Sequence, residues 1–234
     1  MKKILVLGVI IISIFLIYLT TIDKKVYYVS LGDEISLGMT KEGYYEKSYS
    51  IYIKEYLEEK NKLETFIDDY ATQGYRITDL INDINNNKEV EETNKTIKNA
   101  LIKSDLITLS IGTNDIISKI NTEKTLTKID YNRLYKNIDE IIEDLDKLLK
   151  LMREYCKEDI ILIGIDINTE DEKLTQIINY ANEKFKGTSE KYRIYYLDSF
   201  KNEIKEFKIY PTIDEYKQIS EQIIDIINNN LLKQ

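Results

Sequence analysis

The residues able to do chemistry in this chain fall into four short blocks. They are Gly32-Asp33-Glu34-Ile35-Ser36-Leu37-Gly38, an isolated Gly74 in YATQGYRITDL, Gly112-Thr113-Asn114-Asp115, and Tyr210-Pro211. A hydroxyl nucleophile such as Ser36 needs a base that titrates near neutral pH, and histidine, with an unperturbed pKa near 6.5, is the usual one. The 234 residues contain no histidine. Glu34 with Asp33 or Asp115 could instead form an acid–base pair of glycosidase type, if the carboxyl groups stand about 5–9 Å apart. Like charges held close raise one pKa and leave an acid. The Tyr210 phenol, with a pKa near 10, is a poor base at neutral pH. Packing beside Pro211 at a helix entry is its simpler role.

Cys156 is the single cysteine, so no intramolecular disulfide and no Cys/His metal cluster can form. It sits on the apolar face of a helical pattern, where a buried, inert thiol is the simpler reading. No metal and no cofactor is expected. The 19 tyrosines suit core and surface filling, although the pairs Tyr44-Tyr45 and Tyr195-Tyr196 could stack on sugars.

Strand-like and helix-like segments that can position these blocks alternate from Lys25 onward. Val26–Leu31, Glu64–Tyr70, Leu106–Ile111, Ile160–Ile165 and Arg193–Leu197 read as strands, several of them continuously apolar as a sheet covered on both faces requires. Tyr44–Lys60, Ile77–Ile84, Glu91–Lys103, Tyr131–Glu158 and Asp171–Phe185 read as helices. A last helix begins near Thr212, where Thr212-Ile-Asp-Glu215 has the form of a capping box. The alternation predicts an α/β three-layer sandwich, a mainly parallel sheet flanked by helices. In such folds the site lies beyond the carboxyl ends of the strands, where the four blocks fall.

The blocks, taken in order, resemble those of the SGNH (GDSL) hydrolase superfamily over about Lys25 to Asn230. GDEISLG resembles the family's GDSxxxG, GTND its GxND, and Tyr210-Pro211 the histidine-proline pair that opens the terminal helix. The resemblance implies an SGNH, flavodoxin-like sandwich. It also implies an oxyanion hole built from the amide of residue 34, Gly74 and Asn114, with Gly32, Asp33, Gly38, Gly112 and Asp115 supporting it. The reacting groups are replaced: Glu34 stands at the nucleophile position, Tyr210 at the histidine, and Phe207 at the aspartate three residues earlier. Asp33 corresponds to a structural group that ties loops. Ser36 lies two residues past the nucleophile turn and is read as a solvent-facing or helix-start hydroxyl. Glu34 is expected to fold toward Asn114 and Gly74 and to occupy the hole. A protein of this kind is a pseudoenzyme that binds a ligand such as an acylated glycan or lipid, or a scaffold for an envelope protein partner. The alternative is an active esterase or carboxylate-based glycan hydrolase with non-standard groups around Glu34.

The net charge of −8 argues against a nucleic-acid partner, since phosphate is gripped by a Lys and Arg surplus. The 43% hydrophobic content suffices for one large core. Ile4–Ile22 is uncharged for 19 residues, a span of about 28 Å as a helix. Lys2 and Lys3 precede it, which places that end in the cytoplasm and the domain outside. A cleaved signal peptide would want a shorter apolar core and a small-residue exit. The expectation is therefore residues 1–24 as an N-terminal transmembrane helix and residues 25–234 as the extracytoplasmic SGNH-like domain of a single-pass membrane protein.

Overall fold

The computed structural model describes residues 25–90, 95–124, 130–198 and 208–232. The expected transmembrane segment lies outside them, as does Phe207. Among the described residues no helix is long and apolar enough to cross a membrane.

Five strands form one parallel sheet: β1 (Val26–Gly32), β2 (Leu63–Ile67), β5 (Leu106–Ser110), β6 (Asp159–Ile163) and β7 (Tyr195–Leu197). Their order is β2-β1-β5-β6-β7. Every adjacent pair is parallel, so all carboxyl ends lie along one edge. The chain runs outward from β1 to β2, then crosses back to β5 on the other side. That reversal makes a switch point between β1 and β5, the usual place for a site in an open α/β sheet.

Side-chain alternation along the strands divides the core into two layers. Val29, Leu31, Ile107, Leu109, Ile160 and Leu162 face one way. Against them pack α3 (Ile77–Asn85), α4 (Ile97–Lys103), α6 (Tyr131–Tyr155) and α7 (Glu172–Lys191). Val26, Tyr28, Leu106, Ile161 and Ile163 face the other way, under α2 (Tyr49–Glu59) and α8 (Ile213–Asn230). Helix α6 spans the sheet because Leu134, Ile138, Ile141, Leu145, Leu148, Leu149 and Met152 form one continuous buried stripe.

The structure departs from the sequence expectations in several elements. The helix expected from Tyr44 begins only at Tyr49, because Ser48 caps it by accepting from the Ile51 amide. Residues 44–48 are a loop that leaves Tyr44 and Tyr45 exposed. The helix expected from Glu91 begins at Ile97, and Lys95–Thr96 (β4) instead pairs antiparallel with Glu89–Val90 (β3). Two helices lie outside those expectations: the single turn α1 (Glu34–Leu37) and α5 (Thr113–Lys124). Helix α7 runs six residues beyond Phe185, to Lys191. At α8 the capping box is present as expected: Thr212 accepts from the Glu215 amide, and the Glu215 carboxylate accepts from the Thr212 amide.

Candidate functional site

The site forms where β1 ends. Gly32 has φ +125°, and a Cβ there would stand 1.8 Å from the Ser110 carbonyl oxygen. No other residue fits so close a backbone approach. The approach lets the Asp33 amide donate to that carbonyl at 2.9 Å, while the Gly32 carbonyl accepts from Thr72 at 2.9 Å. One turn therefore joins β1 to β5 and to the loop carrying Gly74.

Asp33 caps α1 and is fully buried. Its Oδ1 accepts from the Ile35 amide at 3.1 Å and from Ser110 Oγ at 2.8 Å. Its Oδ2 has no hydrogen-bond partner. Burial, and then the neighbouring Glu34, push its pKa up to about 8. Burial thus favours the protonated form of Asp33, whose carboxyl ties two loops.

Glu34 is 3% exposed, and its side chain turns inward. Oε2 accepts from the Gly74 amide at 2.8 Å and from Asn114 Nδ2 at 3.0 Å. Oε1 accepts from the Tyr210 hydroxyl at 2.8 Å. Gly74 has φ +78°, with nothing within 4 Å of where a Cβ would stand. Its glycine therefore serves the left-handed conformation that aims the amide, not a lack of space. Asn114, near the start of α5, also donates to the Tyr75 carbonyl at 3.0 Å, which fixes the orientation of its amide. The Glu34 carboxylate so bridges four segments: the end of β1, the 72–76 loop, α5 and the entry to α8. Its partners in these bonds are all neutral donors.

The remaining residues of the four blocks hold this frame. Asp115 Oδ2 accepts from the Ile77 amide at 3.2 Å and so joins α5 to the start of α3. Burial pushes its pKa up to about 6 despite that bond. Gly38 ends α1, and Gly112 connects β5 to α5 against the Phe185 ring.

Two expectations are corrected. Of the two roles read for Ser36, helix-start agrees with its place in the single turn α1 and solvent-facing does not: it is 2% exposed, donates to the Leu31 carbonyl at 2.8 Å, and lies 2.8 Å from the Tyr49 hydroxyl. Tyr210 does more than pack beside Pro211. Its hydroxyl reaches Glu34, and burial followed by the Glu34 carboxylate raises its pKa. This bond links positions 176 apart in sequence, and the correspondence of Glu34 and Tyr210 with the family's nucleophile and histidine is the signal that brings them together. Cys156 is buried at the end of α6, where burial raises its pKa and Ser104 Oγ lies 3.4 Å from its sulfur. Among the described residues no group of three or more His, Cys, Asp or Glu is arranged to hold a metal ion.

Comparison with known proteins follows the same outline. The sequence matches the GDSL-like Lipase/Acylhydrolase family over residues 28–223. No curated protein sequence matches the chain. Among solved structures, the lipase Lip_vut3 from a goat rumen metagenome is similar at 17% identity and a TM-score of 0.66, covering 85% of this chain and 95% of that one. Axe2, an acetylxylan esterase from Geobacillus stearothermophilus, is similar at 16% identity and a TM-score of 0.61, covering 87% and 94%. At these identities the likeness is one of fold.

Proposed function

We propose, from the premise that the chain belongs to the GDSL-like lipase/acylhydrolase family, that it is a catalytically silent member of that family. In this reading it is held outside the cytoplasmic membrane by residues 1–24 and acts as a ligand-binding or scaffold protein of the cell envelope. The observation that carries the reading is the Glu34 carboxylate seated on the Gly74 amide, Asn114 Nδ2 and the Tyr210 hydroxyl. In acyl transfer such donors must meet a negative charge that develops only in the transition state. Here a fixed carboxylate already engages them. A bound ester would have to displace Glu34 and then find a nucleophile and a base. Ser36 is sequestered by Leu31 and Tyr49, and the sequence has no histidine.

Relatives described as a lipase and an acetylxylan esterase define the substrates to try. The protein is expected to show no turnover of short acyl esters or acetylated xylan, and no serine labelled by a fluorophosphonate. Ester hydrolysis abolished by Glu34→Ala, or a labelled serine in folded protein, would establish the active-hydrolase alternative. The triple variant Glu34→Ser, Phe207→Asp, Tyr210→His tests the correspondence from the other side, and is expected to gain measurable esterase activity.

A further inference from the structure

The turn that carries Tyr210 is clamped at both ends by one lysine. The Lys208 amide donates to the Asn168 carbonyl at 3.0 Å, and the Asn168 amide donates back to the Lys208 carbonyl at 2.8 Å. This antiparallel bridge ties the entry of α8 to the loop after β6. The Lys208 ammonium, on a side chain only 3% exposed, crosses the turn and donates to the two Glu215 oxygens at 2.5 and 2.6 Å. Glu215 also accepts from the Thr212 amide at 2.7 Å. Residues 208 to 215 therefore form a closed staple. Tyr210, whose hydroxyl donates to Glu34, lies inside it.

Asp166 stands beside the staple. Its Oδ1 accepts from Asn168 Nδ2 at 3.0 Å, while its Oδ2 lies 3.8 Å from Lys208 Nζ, beyond hydrogen-bond reach. One buried cation thus faces two carboxylates and bonds only one of them. With both ionised, the cluster holds a negative charge that nothing in it offsets, and such a buried charge is costly. A proton on Asp166, whose side chain is 12% exposed, makes the cluster neutral. The charged groups facing Asp166 from the α8 entry are Lys208 and Glu215. From the end of β7 comes Asp198, largely exposed and paired with Lys186 at 3.6 Å. From α1 the facing residue is Ile35, which is uncharged. Burial pushes the Asp166 pKa up to about 6, Lys208 opposing and Glu215 reinforcing the shift. The closed cluster therefore holds the extra proton, so closure is favoured in acid and weakens as pH rises from about 4 to 6.

We propose that Asp166, Lys208 and Glu215 form a proton-sensitive latch that holds Tyr210 on Glu34 when Asp166 is protonated and loosens when Asp166 ionises. It deepens the reading of the Glu34 seat and rests on the seating of Tyr210, not on the absence of turnover, so ester turnover would sink that reading and leave the latch standing. The test is residue-resolved hydrogen exchange by NMR on the full chain in detergent from about pH 4.5 to 7, corrected for intrinsic exchange. The Lys208 and Asn168 amides report the latch, and the Tyr210 ring resonances report the seat. An open latch returns Asp166 toward its ordinary value, and each unit of pKa difference is a tenfold factor in closure. Protection of both amides is therefore expected to fall about tenfold across this range, with the Tyr210 signals moving at the same midpoint. Asp166→Asn, a neutral isostere, is expected to remove the step, and Asp198→Asn to keep it. A step caused by Asp115, whose pKa is also about 6, would survive Asp166→Asn. Protection independent of pH in the parent, a step that survives Asp166→Asn, or Tyr210 signals that ignore the step in the bridge amides would each overturn the proposal.

Discussion

Glu34 satisfies three donors with one side chain; Gly74 is exposed and Asn114 and Tyr210 are half-buried, so water can reach them once the carboxylate is removed. Glu34→Ala is therefore expected to cost about 1–2 kcal/mol, the net worth of hydrogen bonds to a charged group, read as a lowered midpoint in thermal or denaturant unfolding. Acetate at millimolar concentration should recover part of that loss in the variant and do nothing to the parent, because it can re-enter the vacated seat. Asp33 makes a separate prediction, with the opposite pH sense to an ordinary ion-paired carboxylate. Burial pushes its folded pKa up to about 8, above the ordinary aspartate value of 3.8. The folded state thus holds the extra proton between those values. Its contribution is present at acid pH and lost as pH rises from about 4 to 8. Asp33→Asn, a neutral isostere, should match the parent near pH 4–5. Above pH 8 it should exceed the parent by on the order of a few kcal/mol. At this scale Glu34, Gly74 and Asn114 could be found from motif order alone. Motif order also sets Tyr210 beside Glu34, and what the structure adds is that its hydroxyl donates to the carboxylate.

At the scale of elements, the buried strands and the long stripe of α6 were legible because continuous apolar runs and three- and four-residue spacing each admit one packing solution. The loop at 44–48 was not, because its two tyrosines extend the helical rhythm of α2 while Ser48 interrupts it. Thr96 plays the same part ahead of α4, accepting from the Asn99 amide. A capping hydroxyl decides such boundaries more firmly than apolar spacing does. The α8 cap was readable because Thr212 and Glu215 are both in place. Thr212→Ala should lower stability by about 1 kcal/mol, measured by denaturant midpoint, with the helix retained by circular dichroism. Gly32→Ala belongs to a harsher class. Its Cβ would overlap a backbone oxygen at 1.8 Å, and backbone cannot step aside as a flexible side chain can. That variant should fail to accumulate as folded protein in a protease-resistance assay.

For the whole molecule, one family architecture is preserved at 16–17% identity to the solved relatives named above. What the two neighbours share with this chain is the fold: a parallel sheet between two layers of helices. The proposed anchor predicts that the full chain sediments with membranes and that removal of residues 1–24 releases a folded 25–234 domain. The sheet adds a consequence of its own. Because β1 runs parallel to its neighbours and starts at Val26, the proposed tether would join the domain at the amino edge while Glu34 sits at the opposite rim. Seven residues of strand at about 3.3 Å each hold the two roughly 23 Å apart. An anchored copy that stood upright on so short a stalk would present its Glu34 rim outward, within reach of wall polymer or a neighbouring ectodomain and out of reach of the lipid headgroups beneath it.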